Sequence, residues 1–287
     1  MASRYRSVVD ASLTNNAHSY ALQMIGGGQR VLELGAAAGD VTRALVDQRC
    51  EVTAVEYDEG NRADLEVAAH RVVIGDLNDP HIFDELSGPF DVVLAGDVLE
   101  HLLYPDAVLR RVAPLLAPGG RIVVSLPNVA HVDVRLTLLE GRFDYLTLGL
   151  LDRTHIRFFT RKTVGELVSD AGYTITEMRK VRVPAFHTEL LAPRGTVPQE
   201  VLDKILADPD AETYQFVFSA VRKDQDVDTE QIVEKYVELR EKYDRMVELQ
   251  RVTQFQLSAI QASKTLRYTE KPRAVYRAIR AAVQKSS

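Results

Sequence analysis

"VLELGAAAGD", residues 31–40, holds a short apolar run, a glycine turn and the opening of a helix in ten residues. Residues 33–39 read E-x-G-x-A-x-G and not the G-x-G-x-x-G of dinucleotide binders, so the turn is not built to cradle a pyrophosphate. Gly35, lacking a Cβ, lets the backbone pass close to a ligand. Twenty-one residues after Gly35 stands Glu56, at the end of the next apolar run, where a carboxylate can accept from both hydroxyls of a ribose. Twenty residues further on, Asp76 ends a third run, placed to accept from an adenine amino group. Three ligand-facing groups at successive run ends form a constellation, which is more specific than any one motif.

Working outward, the β-rich runs are "RVLEL" (30–34), "EVTAVE" (51–56), "RVVIG" (71–75), "FDVVLAG" (90–96) and "RIVVSL" (121–126). Short Val/Ile/Leu runs of this kind suit strands buried on both faces. Helical patterns lie between them, at "DVTRALVDQ", "EGNRADLEVAA" and "PDAVLRRVAPLL", the last opening at Pro105. The series predicts an α/β fold, a Rossmann-like doubly wound sheet, mostly parallel. After Leu126 the rhythm breaks into an insertion, 127–159. A helix over about 160–171, capped by Thr160 and stopped by Gly172, follows. "TITEMRKV" (174–181) and "TYQFVFSAV" (213–221) then read as an antiparallel pair at the sheet edge. Between them, 183–212 carries Pro184, Pro193, Pro198 and Pro209 and reads as an irregular acceptor-side loop.

From about 226 the pattern changes. Ile232, Tyr236, Leu239, Tyr243 and Met246 recur at 4-3-4-3 spacing, a narrow apolar seam on a helix that Leu249, Phe255 and Ile260 continue less regularly. This divides the chain into a domain over 1–225 and a helical, C-terminally basic extension over 226–287. Such a seam suits a homo-oligomer, a dimer, or packing within the chain. Of 35 Lys and Arg against 41 Asp and Glu, seven cations and only Glu270 fall from Lys264 onward. An acidic body argues against nucleic acid as a partner, which needs clustered cations. The basic end, "PRAVYRAIRAAV", can contact an anionic membrane surface or an acidic partner. Cys50 is the only cysteine, and neither a leader-like N-terminus nor a run of about 18 apolar residues is present. The expectation is a cytoplasmic protein, peripheral at most at the inner membrane face.

With "VLELGAAAGD", "VEYD", "GDLND", "FDVVLAGDVLEHL" and "LLAPGGRIVVSLPN" in this order, residues 1–222 resemble the class I S-adenosylmethionine-dependent methyltransferases. The resemblance implies S-adenosylmethionine as cofactor. Glu33 and Gly35 would lie near its methionine moiety, Glu56 would bind ribose, and Asp76 with Leu77 would hold adenine. Ala36, Gly39, Tyr57 and Gly96 complete the implied cofactor set. Ala37 stands where many members have glycine. "NNAHS" (15–19), "PNVAH" (127–131) and "GRFDY" with "LLDRTHIRFFT" (141–160) are similar to segments of a branch found in bacterial polysaccharide and glycolipid clusters. "SKTLRYTEKPRAVYRAIR" likewise resembles tails of bacterial glycan-processing enzymes.

Methyl transfer from a sulfonium is an in-line displacement, so the protein mainly positions the nucleophile and removes its proton. His155, with Asp152 three residues before it to orient the ring, is the foremost candidate base. His131, after the fifth strand, His101, after the fourth, and His18, in an N-terminal segment that could fold over the site, are the other candidates. "DVLEH" (97–101) is similar to the E-x-x-E-H segment of ubiquinone-biosynthesis O-methyltransferases, where such residues are associated with a divalent cation. Asp97, Glu100 and His101 would share one helical face and hold Mg²⁺ or another divalent cation, Mn²⁺ or Zn²⁺. The bland alternative is that Glu100 and His101 cap and pack the helix opening. "LLDRTHIRFFT" mixes sealing apolar groups with Asp152, Arg153 and His155 and reads as a lid over an acceptor. The leading expectation is O-methylation of a sugar, oligosaccharide or glycolipid hydroxyl in cell-envelope or polysaccharide biosynthesis. The alternatives are O-methylation of a small phenolic or quinone-like acceptor, and a cofactor-binding scaffold for a glycan-assembly complex.

Overall fold

The computed structural model describes residues 9–223 and 227–262, with side chains over 9–223 and 237–254. Residue contacts divide the chain into two units, Met1–Val237 and Glu238–Ser287.

The first unit opens with α1 (Ala17–Ile25), started by the "NNAHS" segment: Asn16 caps it by accepting from the Ser19 N–H at 3.0 Å. The alternating series then follows as β1 (Arg30–Leu34), α2 (Asp40–Asp47), β2 (Glu51–Glu56), α3 (Arg62–Ala68), β3 (Arg71–Ile74), β4 (Phe90–Gly96), α4 (Pro105–Val112) and β5 (Leu116–Pro127). β5 begins earlier than its apolar run because Leu116 pairs with Phe90 across a register shift. After α5 (Val132–Leu139) come α6 (Arg161–Asp170), β6 (Tyr173–Arg182), α7 (Gln199–Leu206) and β7 (Thr213–Arg222). Thr160 and Thr163 form a reciprocal capping box on α6, and Gly172, with φ +88°, ends it.

The seven strands order as β3-β2-β1-β4-β5-β7-β6. β1 to β5 are parallel, and β7 runs antiparallel between β5 and the edge strand β6. The order reverses between β1 and β4. At such a switch point the strand C-termini leave a crevice for a ligand. One apolar cluster covers a face with Leu32, Leu34, Val93, Leu109, Phe216 and Phe218, and another covers the opposite face with Leu22, Ile25, Val31, Leu45 and Val92. Phe216 and Phe218 are fully buried, each worth roughly 1.5–3 kcal/mol. Buried Tyr173 donates its hydroxyl to the Leu109 carbonyl at 2.9 Å, tying β6 to α4.

Both acceptor-side insertions are more regular than expected. α5 forms because the His131 side chain caps it, accepting from the Asp133 N–H. In 183–212, Pro198 reads as a breaker but stands at the start of α7, where its missing N–H costs nothing.

α8 (Val227–Ala262) spans the seam, with Leu239, Tyr243, Met246 and Leu249 exposed. Ion pairs at helical spacing, Lys242–Glu238 at 2.7 Å and Arg251–Glu248 at 3.1 Å, flank it. The side chains of Ile232, Tyr236, Phe255 and Ile260 and the whole basic end lie outside the described residues. No described helix is long and apolar enough to cross a membrane.

Candidate active site

The glycine turn hangs on β2: the Gly35 and Ala36 N–H groups both donate to the Val55 carbonyl, at 2.8 and 3.1 Å. Gly35 has φ +69°, and a Cβ there would lie 2.5 Å from Val98 Cγ2. Packing against Val98, as much as access for a ligand, therefore requires glycine. Ala37 also sits in the left-handed region, at φ +47°, and its N–H donates to Glu56 Oε2 at 2.8 Å. Gly39, at φ +78°, starts α2, and Ala36 is buried against Ala54 and Leu65.

Glu56 Oε1 accepts from the Asp58 N–H at 3.0 Å and Asn61 Nδ2 at 3.2 Å. The carboxylate thus joins the turn to the end of β2 and, with three of about four acceptor sites used, keeps one on Oε2 for a further donor. Tyr57 beside it is exposed. Buried Glu33 accepts from Thr42 Oγ1 at 2.6 Å. Burial pushes its carboxyl up to about 7, against the Thr42 hydrogen bond, and the Glu56 charge adds to the rise. Asp76 is exposed and accepts from Asn78 N and Nδ2 at 2.8 and 2.9 Å, while Asn78 Oδ1 accepts from the Leu103 N–H. The Leu77 side chain belongs to the core, so Leu77 presents main chain and not its side chain at the β3 end. At Gly96 a Cβ would meet nothing nearer than 4.0 Å, leaving room over the β4 end.

Beyond Gly96 the expected single helical face does not form. Asp97 takes a left-handed φ of +54°, donates its N–H to Ser125 Oγ at 3.0 Å, and accepts from Ser125 Oγ and Gln215 Nε2. The helix after it is only the 3-10 turn Leu99–His101, and Asp97 is not among the donor groups gathered with Glu100 and His101. His155 takes its place. Donor atoms of Glu100, His101 and His155 lie within 4.8 Å of one another, the one such group among the described residues. Two hydrogen bonds bring "LLDRTHIRFFT" there, from the Ile156 and Arg157 N–H groups to the Glu100 carbonyl, each 3.0 Å.

Glu100 is 1% exposed, its Oε1 lies 3.9 Å from His155 Nε2, and its Oε2 has no hydrogen-bond partner. Burial, reinforced by Asp97, holds its carboxyl well above the usual range. Burial and neighbouring His101 hold the His155 imidazole below its ordinary value. The two rings meet edge-on, 4.9 Å between centroids, and His101 Nδ1 lies 3.1 Å from the Thr154 carbonyl. His155 Nδ1 faces the Leu150 carbonyl at 3.3 Å. Asp152 caps its own turn, accepting from Thr154 N and Oγ1 at 2.8 and 2.7 Å. Leu150 and Leu151 are buried with Val134 and Leu190, so the stretch is partly core and partly cover.

His131 is placed differently from expectation. It is fully buried, Nε2 lies 2.9 Å from the Val183 carbonyl, and Nδ1 accepts from the Asp133 N–H at 3.2 Å. With main chain on both nitrogens, the ring braces one insertion against the other. His18 is half-buried on α1. Nothing local in the sequence singles out Asn61, Ser125, Gln215 or Glu189. Each works through a partner distant in the chain or sits outside any motif.

A family profile described as "Methyltransferase domain" matches residues 5–178. Among curated relatives, the ubiquinone biosynthesis O-methyltransferase of Psychrobacter arcticus is 30% identical over 55% of this chain and 63% of its own length. That of Caulobacter sp. (strain K31) is 36% identical over 35% of this chain and 42% of its own. The chain thus spans less than two thirds of these relatives. They correct the expected kinship with the polysaccharide and glycolipid branch, since the relatives matched carry a ubiquinone-biosynthesis name. A SAM-dependent methyltransferase from Archaeoglobus fulgidus shares the fold, with a TM-score of 0.54 at 17% identity over 75% of this chain and 95% of that one.

Proposed function

The chain belongs to the methyltransferase-domain family, and from that premise we propose that it transfers a methyl group from S-adenosylmethionine to a hydroxyl of a small phenolic or quinol-like acceptor. The observation that carries the reading is the junction of two halves at the switch point. A turn braced by Glu56 sits on one side, and a buried histidine–carboxylate pair sits beyond the β4 end on the other. The names of the relatives support an aromatic acceptor. So does the exposure of Leu103, Tyr104 and Ile156, which adjoin the Glu100 turn.

In this reading Glu56 holds the ribose, Asp76 and the Leu77 main chain meet the adenine, and Glu33 faces the methionine ammonium. The sulfonium methyl is already electrophilic, so the acceptor side has to orient an oxygen in line and take its proton. A phenol, with a pKa near about 10, gives up that proton far more readily than an alcohol. His155 Nε2 is the proton acceptor; the raised carboxyl of Glu100 lies 3.9 Å from it, and the positive charge that appears on the ring favours the Glu100 carboxylate.

Glu100, His101 and His155 also fit a divalent cation, because Glu100 Oε2 is a buried carboxylate oxygen without a partner. One carboxylate and two imidazoles suit Mn²⁺ or Zn²⁺ better than Mg²⁺. When bound, such an ion would acidify the acceptor hydroxyl and would occupy the Nε2 lone pair of His155, so it would replace proton transfer to that nitrogen and not add to it.

The test is methyl transfer from labelled S-adenosylmethionine to a panel of catechols and quinols, with and without EDTA. Methylated phenol is the expected product. Cofactor binding without any phenolic product would overturn the acceptor class. Loss with EDTA and recovery with Mn²⁺ or Zn²⁺ would establish the cation.

A further inference from the structure

We propose that Glu189, a residue outside every motif, is a positioning residue that sets the tautomer of His155. The proposal rests on the reading of His155 as the group that works on the acceptor. Leu150 is held from both sides: its N–H donates to Glu189 Oε1 at 2.6 Å, and its carbonyl faces His155 Nδ1 at 3.3 Å. A carbonyl only accepts, so the nitrogen facing it carries the hydrogen. A neutral imidazole has one N–H, so Nε2 keeps the lone pair, and it is Nε2 that faces Glu100.

Glu189 is itself tied to the sheet, because the Tyr214 hydroxyl of β7 donates to the same Oε1 at 3.0 Å. The path runs from β7 through Tyr214 and Glu189 to the Leu150 main chain and then to His155. It links the two insertions across 39 residues between Leu150 and Glu189. Gly149 shows how closely the carboxylate is seated. With φ +98°, a Cβ there would lie 1.9 Å from Glu189 Oε1 and 2.4 Å from its Cδ. Leu190, next in the chain, is buried against Leu150 and Leu151, which holds the Glu189 main chain in register with the turn. Direct hydrogen-bond partners of metal-ligating histidines are worth about 10- to 100-fold when removed, an upper bound for Glu189, which acts one step back through the Leu150 main chain.

The experiment compares Glu189→Ala, Glu189→Gln and Tyr214→Phe in the full chain. It measures kcat and KM for the phenolic acceptor, affinity for S-adenosylhomocysteine, and the imidazole tautomer by ¹³C/¹⁵N NMR. The His155 signals are assigned by their loss in His155→Gln. In Glu189→Ala we expect kcat to fall by at most about 10- to 100-fold, cofactor affinity to hold, and the Nδ1–H signature to give way to a tautomer mixture. Glu189→Gln, whose amide oxygen can accept the same two bonds, should restore both. Tyr214→Phe, which deletes one hydroxyl and leaves the fold, should show a smaller shift in the same direction. An unchanged tautomer in both Glu189→Ala and Tyr214→Phe overturns the proposal. Full turnover in His155→Gln would instead overturn the proton-acceptor reading, and the NMR result would still decide whether Glu189 holds the ring.

Discussion

The two sides of the crevice are built by different means. The proposed cofactor side, from Glu33 to Gly96, is held by bonds between neighbouring strand ends or within a turn, none of these spanning more than 19 residues: Ala37 to Glu56, Asp58 to Glu56, Asn78 to Asp76. The acceptor side is held by long-range ones: Leu150 to Glu189, His155 to Glu100, Asp97 to Gln215. Parallel strands deliver the first set to one edge, with only Val98 and Leu103 joining it from just beyond β4. The second exists only after two insertions have folded against each other. Substitutions on the two sides should therefore separate cofactor affinity from turnover.

The largest separation is expected at His155. His155→Gln should lower kcat by about 10²–10⁴-fold, the range of general-base catalysis, with affinity for S-adenosylhomocysteine unchanged. Parallel loss of cofactor affinity would mean that the two sides are one mechanical unit. Glu56→Ala is the converse. It removes the acceptor for Ala37, Asp58 and Asn61 as well as for the ribose, and should weaken cofactor binding about 100-fold, close to 3 kcal/mol. Isothermal titration with S-adenosylhomocysteine checks it, and a change under threefold would remove Glu56 from the cofactor site.

The same division decides what could be read in the sequence. β1, β2 and β4 fall where their apolar runs end, and Glu33, Gly35 and Glu56 follow from strand ends and a turn. The grouping of Glu100, His101 and His155 could not be read in the same way. "DVLEH" places Asp97, Glu100 and His101 together only if it is helical, and the left-handed φ at Asp97 breaks that assumption. Nothing local marks this, because Ser125 and Gln215, which hold Asp97, lie 28 and 118 residues away. The position of His131 after β5 is legible in the sequence, but its contact with the Val183 carbonyl 52 residues later is not. Glu189 carried no signal, since an acid in a proline-rich stretch has no preferred meaning.

Glu33 sharpens the comparison by pH. Its folded pKa of about 7 lies above the ordinary 4.5, so the folded chain holds the extra proton between those values. The stability this confers is complete below about 4.5 and is lost as pH rises through about 7. A bound methionine ammonium favours the opposite form, the carboxylate. Cofactor affinity should therefore rise about tenfold from pH 6 to pH 8, and Glu33→Gln should flatten the profile. A flat profile in the unaltered protein would place Glu33 outside the methionine site.

Two residues of one turn, both at positive φ, should respond with opposite signs. Gly35→Ala puts a Cβ 2.5 Å from Val98 in addition to the left-handed strain, so it should lose about 2–3 kcal/mol of stability. Val98→Ala should recover part of that, because it removes the Cγ2 that the new methyl would strike. Ala37→Gly relieves a strain of about 1–2 kcal/mol at φ +47°. The looser unfolded chain of a glycine takes back about 0.4–1 kcal/mol. The net effect should lie between zero and a gain of about 1.6 kcal/mol, a rise of at most about 3–6 °C in Tm. A clear fall in Tm would mean that the Ala37 methyl packs in a way its half-buried position does not suggest. Unchanged cofactor affinity in the same variant would show that the Ala37 N–H to Glu56 bond, and not the methyl, is what the cofactor side needs from this residue.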